Sequence, residues 1–130
     1  MLYLDSSALV KLVVDERESS ALRRHLAIAV AQEVCSSALS TVEVIRAVRP
    51  QGTKAVEAAH ALMEATQVVE IGFDILNSAA GLAPDTLRTL DAIHIATALA
   101  LGSGLDALIT YDKRMLEAAT VAGLNVLSPS

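Results

Sequence analysis

The chain has 130 residues and a net charge of −5, and 53% of its residues are hydrophobic, with a mean hydropathy of +0.49. This composition excludes a disordered chain, and the length favours a single domain over residues 1–130. The acidic balance argues against a protein that coats nucleic acid nonspecifically, and three aromatic residues are too few for a base-stacking platform.

Three features of the sequence indicate the cellular compartment of the protein. No apolar stretch reaches the roughly 20 residues that a membrane-spanning helix needs, and Asp5 interrupts the first apolar run too early for a signal peptide. The one cysteine, Cys35, cannot form an internal disulfide and fits a reducing environment. We therefore expect a cytoplasmic protein without membrane contact, in which Cys35 is a packing residue.

Short apolar runs alternate with longer helical segments along the chain. We predict strands at residues 2–5, 34–37, 68–71, 105–110 and 125–127. We predict helices at residues 8–14, 17–31, 41–48, 53–65, 73–82, 89–101 and 113–122. Ser6 is the expected cap of the first helix and Ser40 or Thr41 that of the third, whereas Gly123 closes the last. This alternation predicts a mostly parallel sheet covered by helices on both faces.

Apolar spacing also predicts which side of each helix is buried. In the second helix the stripe contains Leu22, Leu26 and Val30. In the fourth helix it contains Val56, Ala59, His60 and Met63. In the sixth helix the residues around Asp91 are expected to be buried: Leu90, Ala92, Ile93 and Ile95.

Four carboxylates stand at positions that such a fold can gather into one pocket. Asp5 ends the first strand and Asp112 follows the fourth, whereas Glu43 and Asp91 lie in apolar helical segments where an isolated charge is costly. Because ligands of parallel α/β sheets bind beyond the carboxyl ends of the strands, we expect these side chains to converge. A shared divalent cation would offset both their burial and their mutual repulsion.

The chemistry of such a pocket follows from the metal. Mg²⁺ and Mn²⁺ prefer oxygen ligands in octahedral geometry and retain several waters. The ion lowers the pKa of a bound water and stabilises charge on a phosphoryl oxygen, which is the combination that phosphodiester cleavage requires. The sequence leaves open whether one or two ions bind.

Each acid also has a purely structural interpretation. Asp5 and Asp112 could cap the helices that follow them, and Asp91 suits the positive end of its helix dipole. Glu43 could pair with Arg46, three residues further along the same helix surface.

The neighbouring polar residues are equally open to two interpretations. His94 lies one turn from Asp91, and we interpret it as a structural histidine, with orientation of a carboxylate as the alternative. Thr110 either binds a metal-bound water or a phosphate, or only fills a strand end. His25 and His60 are interpreted as structural. The chain has no zinc spacing, phosphate loop, dinucleotide glycine pattern or nucleophile elbow.

Taken together, four stretches resemble the PIN-domain nucleases, and most closely the VapC-type toxin ribonucleases. They contain the four acids in the order of the family and span residues 2–12, 40–47, 87–98 and 107–114. The resemblance covers essentially the whole chain, although residues 51–86 contain no motif.

The resemblance implies an α/β/α sandwich with the activity of an endoribonuclease dependent on Mg²⁺ or Mn²⁺. It implies Asp5 and Asp91 as the principal metal ligands, with Asp112 and Glu43 completing the acidic pocket. The supporting residues are Thr110, Ser7 and Arg46. It also implies an RNA substrate, a homodimer, and an antitoxin protein whose tail lies over the pocket, often with a basic side chain reaching in.

Other functions fit less well. A phospho-accepting receiver would need paired acids after the first strand and an aspartate at a middle strand end, whereas Ser6 follows Asp5 and residues 68–71 end without an aspartate. A catalytically silent PIN-like binding module and a housekeeping PIN nuclease without an antitoxin remain as alternatives.

Overall fold

A sheet of five short parallel strands forms the centre of the computed structural model, which describes residues 1–130. The strands are β1 (Leu2–Leu4), β2 (Val34–Ser37), β3 (Gln67–Val69), β4 (Ala107–Ile109) and β5 (Val126–Leu127). Their order across the sheet is β3-β2-β1-β4-β5, and each neighbouring pair is parallel. The mostly parallel sheet expected from the sequence is thus confirmed as fully parallel.

Seven α-helices connect the strands. They are α1 (Ser6–Val13), α2 (Ser19–Ile28), α3 (Leu39–Val48), α4 (Thr53–Ala65), α5 (Phe73–Ala80), α6 (Thr89–Ala100) and α7 (Lys113–Val121). Helices α1 to α4 contribute to the core on one face of the sheet, whereas α6 and α7 contribute to the core on the other, and α5 packs on α6. The three-layer α/β/α sandwich is therefore confirmed. None of the helices has both the length and the apolar character needed to cross a membrane.

The alternation of side chains along the strands divides the core into two parts. Leu4 and Ile109 point to the core beneath α1 to α4, whereas Tyr3 and Leu108 point to the core beneath α6 and α7. Because both faces are covered, β1 and β4 contain no charged or small polar residue, whereas β2 ends with the buried serines Ser36 and Ser37. Cys35 belongs to the second core and is fully buried, and burial raises the pKa of its thiol to about 11. Its predicted packing role is confirmed.

The central strands place distant residues side by side. Leu4 on β1 is in register with Ile109 on β4, and the Asp5 N–H donates a hydrogen bond of 3.2 Å to the Ile109 carbonyl. The residues that follow these two strands consequently leave the sheet at the same edge, although more than 100 positions separate them in the chain.

Several predicted helix boundaries differ from the structure. Helix α2 spans ten residues and ends at Ile28, so Val30 lies beyond the apolar stripe and is 85% exposed. Leu90 is 47% exposed because it lies in the first turn of α6, which extends beyond the core. His60 is exposed as well, since Ala59 and Met63, four residues apart, define the buried line of α4.

The predicted caps of two helices were also wrong. Asp5, not Ser6, caps α1, because its side chain accepts a hydrogen bond from the Ala8 N–H, which confirms the capping interpretation of Asp5. Helix α3 starts at Leu39, so Ser40 and Thr41 lie inside it. The Leu39 N–H instead donates to the Ser37 side chain at the end of β2, at 3.1 Å.

Gly123 ends α7 as predicted, and its backbone explains why a glycine stands there. Its φ is +90°, and the Leu124 N–H donates to the Ala119 carbonyl across the turn at 3.0 Å. We expect Gly123→Ala to lower the free energy of unfolding by about 1 kcal/mol, because a side chain strains this backbone conformation. Denaturant titration measures the change.

Gly104→Ala provides the matched control. Its φ is not positive and a Cβ there would meet no atom within 4 Å, so we expect a change of less than about 0.5 kcal/mol. Equal losses in the two variants would contradict the backbone strain at Gly123.

Candidate active site

Asp5 lies at the carboxyl end of β1 and is 3% exposed. Its Oδ1 accepts hydrogen bonds from the Ser7 hydroxyl at 2.6 Å and from the Ala8 N–H at 3.0 Å, and its Oδ2 accepts one from the Thr110 hydroxyl at 2.5 Å. Burial raises the pKa of the Asp5 carboxyl above its ordinary value, although these three donors favour the ionised form. The carboxylate is thus held in one orientation in a poorly solvated place.

Thr110 and Ser7 connect the two strand ends. The Thr110 hydroxyl donates to Asp5 and accepts from the Asp112 N–H at 3.1 Å, and the Ser7 hydroxyl accepts from the Tyr111 N–H at 2.9 Å. This network ties the turn after β1 to the turn after β4. It explains why a hydroxyl residue stands two positions before Asp112.

Asp112 is the N-cap of α7. Its Oδ1 accepts from the N–H groups of Arg114 at 2.8 Å and Met115 at 3.2 Å. The capping interpretation of this residue is therefore confirmed. Capping occupies only one carboxylate oxygen, and Asp112 Oδ2 stays available to a ligand.

Glu43 and His94 form a second, mostly buried network. His94 is 2% exposed, and its Nε2 lies 2.6 Å from Glu43 Oε1, while its Nδ1 lies 2.6 Å from the Tyr3 hydroxyl. The Ser6 hydroxyl donates to the same Glu43 oxygen at 2.5 Å. Burial acts to raise the pKa of Glu43, but the hydrogen bonds from His94 and Ser6 outweigh it and the pKa lies below its ordinary value.

The neighbours of His94 define its proton positions. A proton on Nε2 serves the Glu43 carboxylate, and the deprotonated Nδ1 then accepts from the Tyr3 hydroxyl. Burial raises the pKa of Tyr3, so its hydroxyl keeps the proton that it donates. The neutral Nε2–H tautomer satisfies every polar atom of this chain of contacts.

Asp91 lies in the first turn of α6, and its carboxylate is poorly compensated. Its Oδ2 is buried and is the one such side-chain atom in the structure without a hydrogen-bond partner. Burial raises the pKa of Asp91, and the negative charges of Asp112 and Asp5 raise it further, whereas the positive charge of Arg88 acts to lower it. Asp91 therefore shares one electrostatic environment with the acids of both strand ends.

The donor set suits a hard divalent cation, but the side chains do not form a finished cage. No three acidic, histidine or cysteine side chains lie close enough together to hold an ion as they stand. The unpartnered oxygen of Asp91 and its repulsion from Asp5 and Asp112 are nevertheless the features that a cation would relieve. A cation would also find ligand atoms here, because Asp91 and Asp112 each keep an oxygen free of hydrogen bonds.

Two openings reach the acids from the surface. A pocket of about 480 Å³ lies beside Asp91 between the start of α6 and α7. A second pocket, of about 430 Å³, has Ser7 and Glu43 in its wall. Asp5 is buried and lines neither opening.

Sequence reasoning missed two members of this site. Tyr3 was given no role and Ser6 was expected only to cap a helix, yet Tyr3 contacts His94 and Ser6 contacts Glu43. His94 contacts Glu43, which is 51 positions away, in agreement with the alternative interpretation that it orients a carboxylate. Arg46 is exposed and forms no ion pair with Glu43, so the alternative interpretation of Glu43 as a surface partner of Arg46 does not apply. A supporting role of Arg46 stays a prediction.

Comparison with known proteins agrees with this geometry. The family model for the PIN domain matches residues 2–121. Ribonuclease VapC46 of Mycobacterium tuberculosis (strain ATCC 25618 / H37Rv) is 46% identical over 129 residues, which cover 99% of this chain and 98% of that protein. Among solved structures, M. tuberculosis VapC20, a Sarcin-Ricin loop cleaving toxin, has a TM-score of 0.77 at 18% identity, covering 99% of this chain and 100% of that one. A toxin–antitoxin complex from Klebsiella pneumoniae has a TM-score of 0.76 at 22% identity, covering 100% and 98% of the two chains.

The strained environment of Asp91 generates a stability prediction. In EDTA at neutral pH we expect Asp91→Asn to raise Tm by about 2–5 °C, because the amide removes a charge that burial and two like charges disfavour. The pKa of Asp91 is raised in the folded state, so its charge lowers stability only above the ordinary value of about 4. The gain should therefore shrink as the pH falls toward about 4, and thermal unfolding across pH measures it.

Asp85→Asn is the control, since it removes an exposed carboxylate outside the acidic site. A lower Tm for Asp91→Asn than for the unmodified protein at neutral pH in EDTA would contradict the interpretation of Asp91 as a destabilising charge.

Proposed function

The chain belongs to the PIN-domain family and, within it, to the VapC ribonucleases, and on this premise we propose that it is a metal-dependent endoribonuclease. It hydrolyses RNA phosphodiester bonds and is the toxin of a toxin–antitoxin pair. One observation supports this activity above the others: the buried Asp91 Oδ2 has no partner and lies in the field of Asp5 and Asp112. Such an arrangement is costly for a protein unless the oxygen has a ligand.

Mg²⁺ or Mn²⁺ would be held by Asp5, Asp91, Asp112 and Glu43. A bound ion supplies a water of lowered pKa and stabilises negative charge on a phosphoryl oxygen. The protein has to hold its carboxylates ionised and correctly oriented for such an ion.

Ser7 and Thr110 orient Asp5. They donate to its two different oxygens, so the plane of the carboxylate is fixed from both sides. Because each hydroxyl also accepts a backbone N–H from the turn after β4, its own position is fixed too. Oδ1 of Asp5 already accepts two hydrogen bonds, from Ser7 and Ala8, so Oδ2 is the oxygen that keeps a further lone pair for a ligand.

His94 and Ser6 orient Glu43 in the same way. Both donate to Oε1, which leaves Oε2 as the oxygen available to the site. Tyr3 acts on Glu43 through His94, because the Tyr3 hydroxyl contacts His94 Nδ1 and fixes the tautomer of the imidazole. We assign Tyr3 and His94 as positioning residues.

The partners follow from the family and the surface. The antitoxin is a protein that covers the acidic site, and an acidic pocket suits a cationic side chain of such a partner. We also propose a homodimer, because large apolar side chains such as Phe73, 82% exposed, suit burial against another chain. The protein acts in the cytoplasm, consistent with its single buried thiol.

Digestion of total RNA with sequencing of the fragment ends tests the activity. We expect cleavage with Mg²⁺ or Mn²⁺ and a loss of about 10²-fold or more in kcat for Asp91→Asn, because the variant lacks a ligand charge. Asp85→Asn serves as the matched control and should cleave normally. Cleavage that persists in excess EDTA would refute the metal-dependent mechanism, and no cleavage under any metal condition would favour a silent binding module.

The positioning role of His94 has its own test. We expect His94→Ala to lower kcat about tenfold and to weaken Mn²⁺ binding, since Glu43 loses a donor, with little change in KM. His94→Gln retains an N–H donor and should recover part of both losses. Tyr3→Phe should give a smaller loss of the same kind. Calorimetric Mn²⁺ titration beside kcat and KM measures these effects, and an unchanged kcat and Mn²⁺ Kd in His94→Ala would overturn the assignment.

A further inference from the structure

An acidic ribonuclease repels its RNA substrate, and the carboxylates of its acidic site add to this repulsion. The chain has a net charge of −5, and its substrate under the proposed function is a polyanion. Single-stranded RNA is held mainly through contacts to its phosphates. Cationic side chains beside the acidic site would therefore favour binding of the strand near the cleaved bond.

The pocket beside Asp91 contains two such cations. Arg88 directly precedes α6, and Arg114 is the second residue of α7, so the two arginines approach the pocket from the starts of two helices. Both are exposed, and neither forms an ion pair within the chain, although Asp91 and Glu117 line the same pocket. Their guanidinium groups are free to bind an external anion.

The backbone around Arg88 adds to the attraction for an anion. Helix α6 has no side-chain cap, so the first N–H groups of a 12-residue helix remain available at the pocket. The α7 start differs, because Asp112 already occupies its first N–H groups. The positive groups of the pocket are thus Arg88, Arg114 and the start of α6.

We propose that Arg88 and Arg114 form a phosphate subsite that holds the RNA backbone next to the bond cleaved at the acidic site. The inference rests on the proposed ribonuclease function. A guanidinium presents paired N–H donors that match two phosphate oxygens, which makes arginine the suitable residue for this ligand. The pocket volume of about 480 Å³ leaves room for a phosphate and its sugar. Asp91 lines this pocket and is also one of the four acids, so the subsite is adjacent to the acidic site.

Glu117 allows the phosphate subsite to be tested with a change of opposite charge. Its carboxylate lines the same pocket and repels a phosphate bound there, whereas it has no role in the acidic site. Removing its charge should therefore strengthen RNA binding, and removing the charge of either arginine should weaken it. If RNA binding strengthens when the negative charge is removed and weakens when a positive charge of the same pocket is removed, the changes arise from charge.

Binding is measured with a fluorescent single-stranded RNA of about 12 nucleotides and the Asp5→Asn variant, which prevents cleavage during the measurement. In this background we expect Arg88→Ala and Arg114→Ala each to weaken binding about fivefold to tenfold at about 50 mM salt. Each should also reduce the slope of log K against log salt by about 0.7, which is the value expected for a single phosphate bound to one cation. Glu117→Gln should strengthen binding about twofold or more.

Arg24→Ala is the matched control, because Arg24 is an exposed arginine on α2 without an ion pair and outside the pocket. Slopes that fall equally in Arg24→Ala and Arg88→Ala would overturn the subsite and indicate only a general charge effect. Arg88→Lys and Arg114→Lys should retain the slope and lose part of the affinity.

Two further measurements distinguish phosphate binding by Arg88 from a role of Arg88 in ordering the acids. Mn²⁺ affinity of the otherwise unmodified protein should be unchanged or tighter in Arg88→Ala, since a cation near the acids is removed. Weaker Mn²⁺ binding would overturn the proposal, because Arg88 would then act by ordering the acids. RNA cleavage by the unmodified protein tests the ribonuclease function itself, so an active enzyme with unaltered slopes would refute the subsite alone.

Discussion

The hydrogen bond between Asp5 and Thr110 is the contact on which this structure depends most. It joins the ends of two neighbouring parallel strands and compensates a carboxylate that is almost completely buried. A buried charge without such donors would cost several kcal/mol. The sheet order that places β1 beside β4, the serine two residues after Asp5 and the turn before α7 all serve to supply these donors.

The same dependence explains why structural and functional roles coincide at the acids. Asp5 and Asp112 cap helices with one oxygen, and each remains able to offer a lone pair to a ligand. Glu43 shares Oε1 between two donors, whereas Asp91 receives none at its buried Oδ2. Three acids are therefore stabilised by the protein itself, and the compensation of Asp91 is left to a ligand. Active sites commonly retain such a locally unfavourable group.

Much of this arrangement could be predicted from the sequence, for clear physical reasons. Short runs that are apolar at every position indicate strands buried on both faces, and parallel strands bring their carboxyl ends to one edge, so Asp5 and Asp112 could be placed together. Hydrogen-bond partners were harder to predict. Asp5 and Ser6 are both good cap formers, and only the point at which β1 ends decides between them.

Long-range side-chain contacts were out of reach for a different reason. His94 contacts Glu43 across 51 positions and Tyr3 across 91, and no local spacing encodes such pairs. The prediction of burial also failed at the ends of helices, because Val30 and Leu90 continue an apolar pattern beyond the place where the core ends. Arg88 and Arg114 could not be singled out from the sequence either, because the pocket that they line is formed by the starts of two helices that are distant in the chain.

The position of β1 in the middle of the sheet has a consequence for synthesis of the protein. During translation β1 is made more than 100 residues before β4, which flanks it in the sheet and precedes Thr110. A nascent chain therefore cannot assemble the acidic centre until β4 has left the ribosome. Until then Asp5 lacks both the neighbouring strand and the Thr110 hydroxyl that orients its carboxylate.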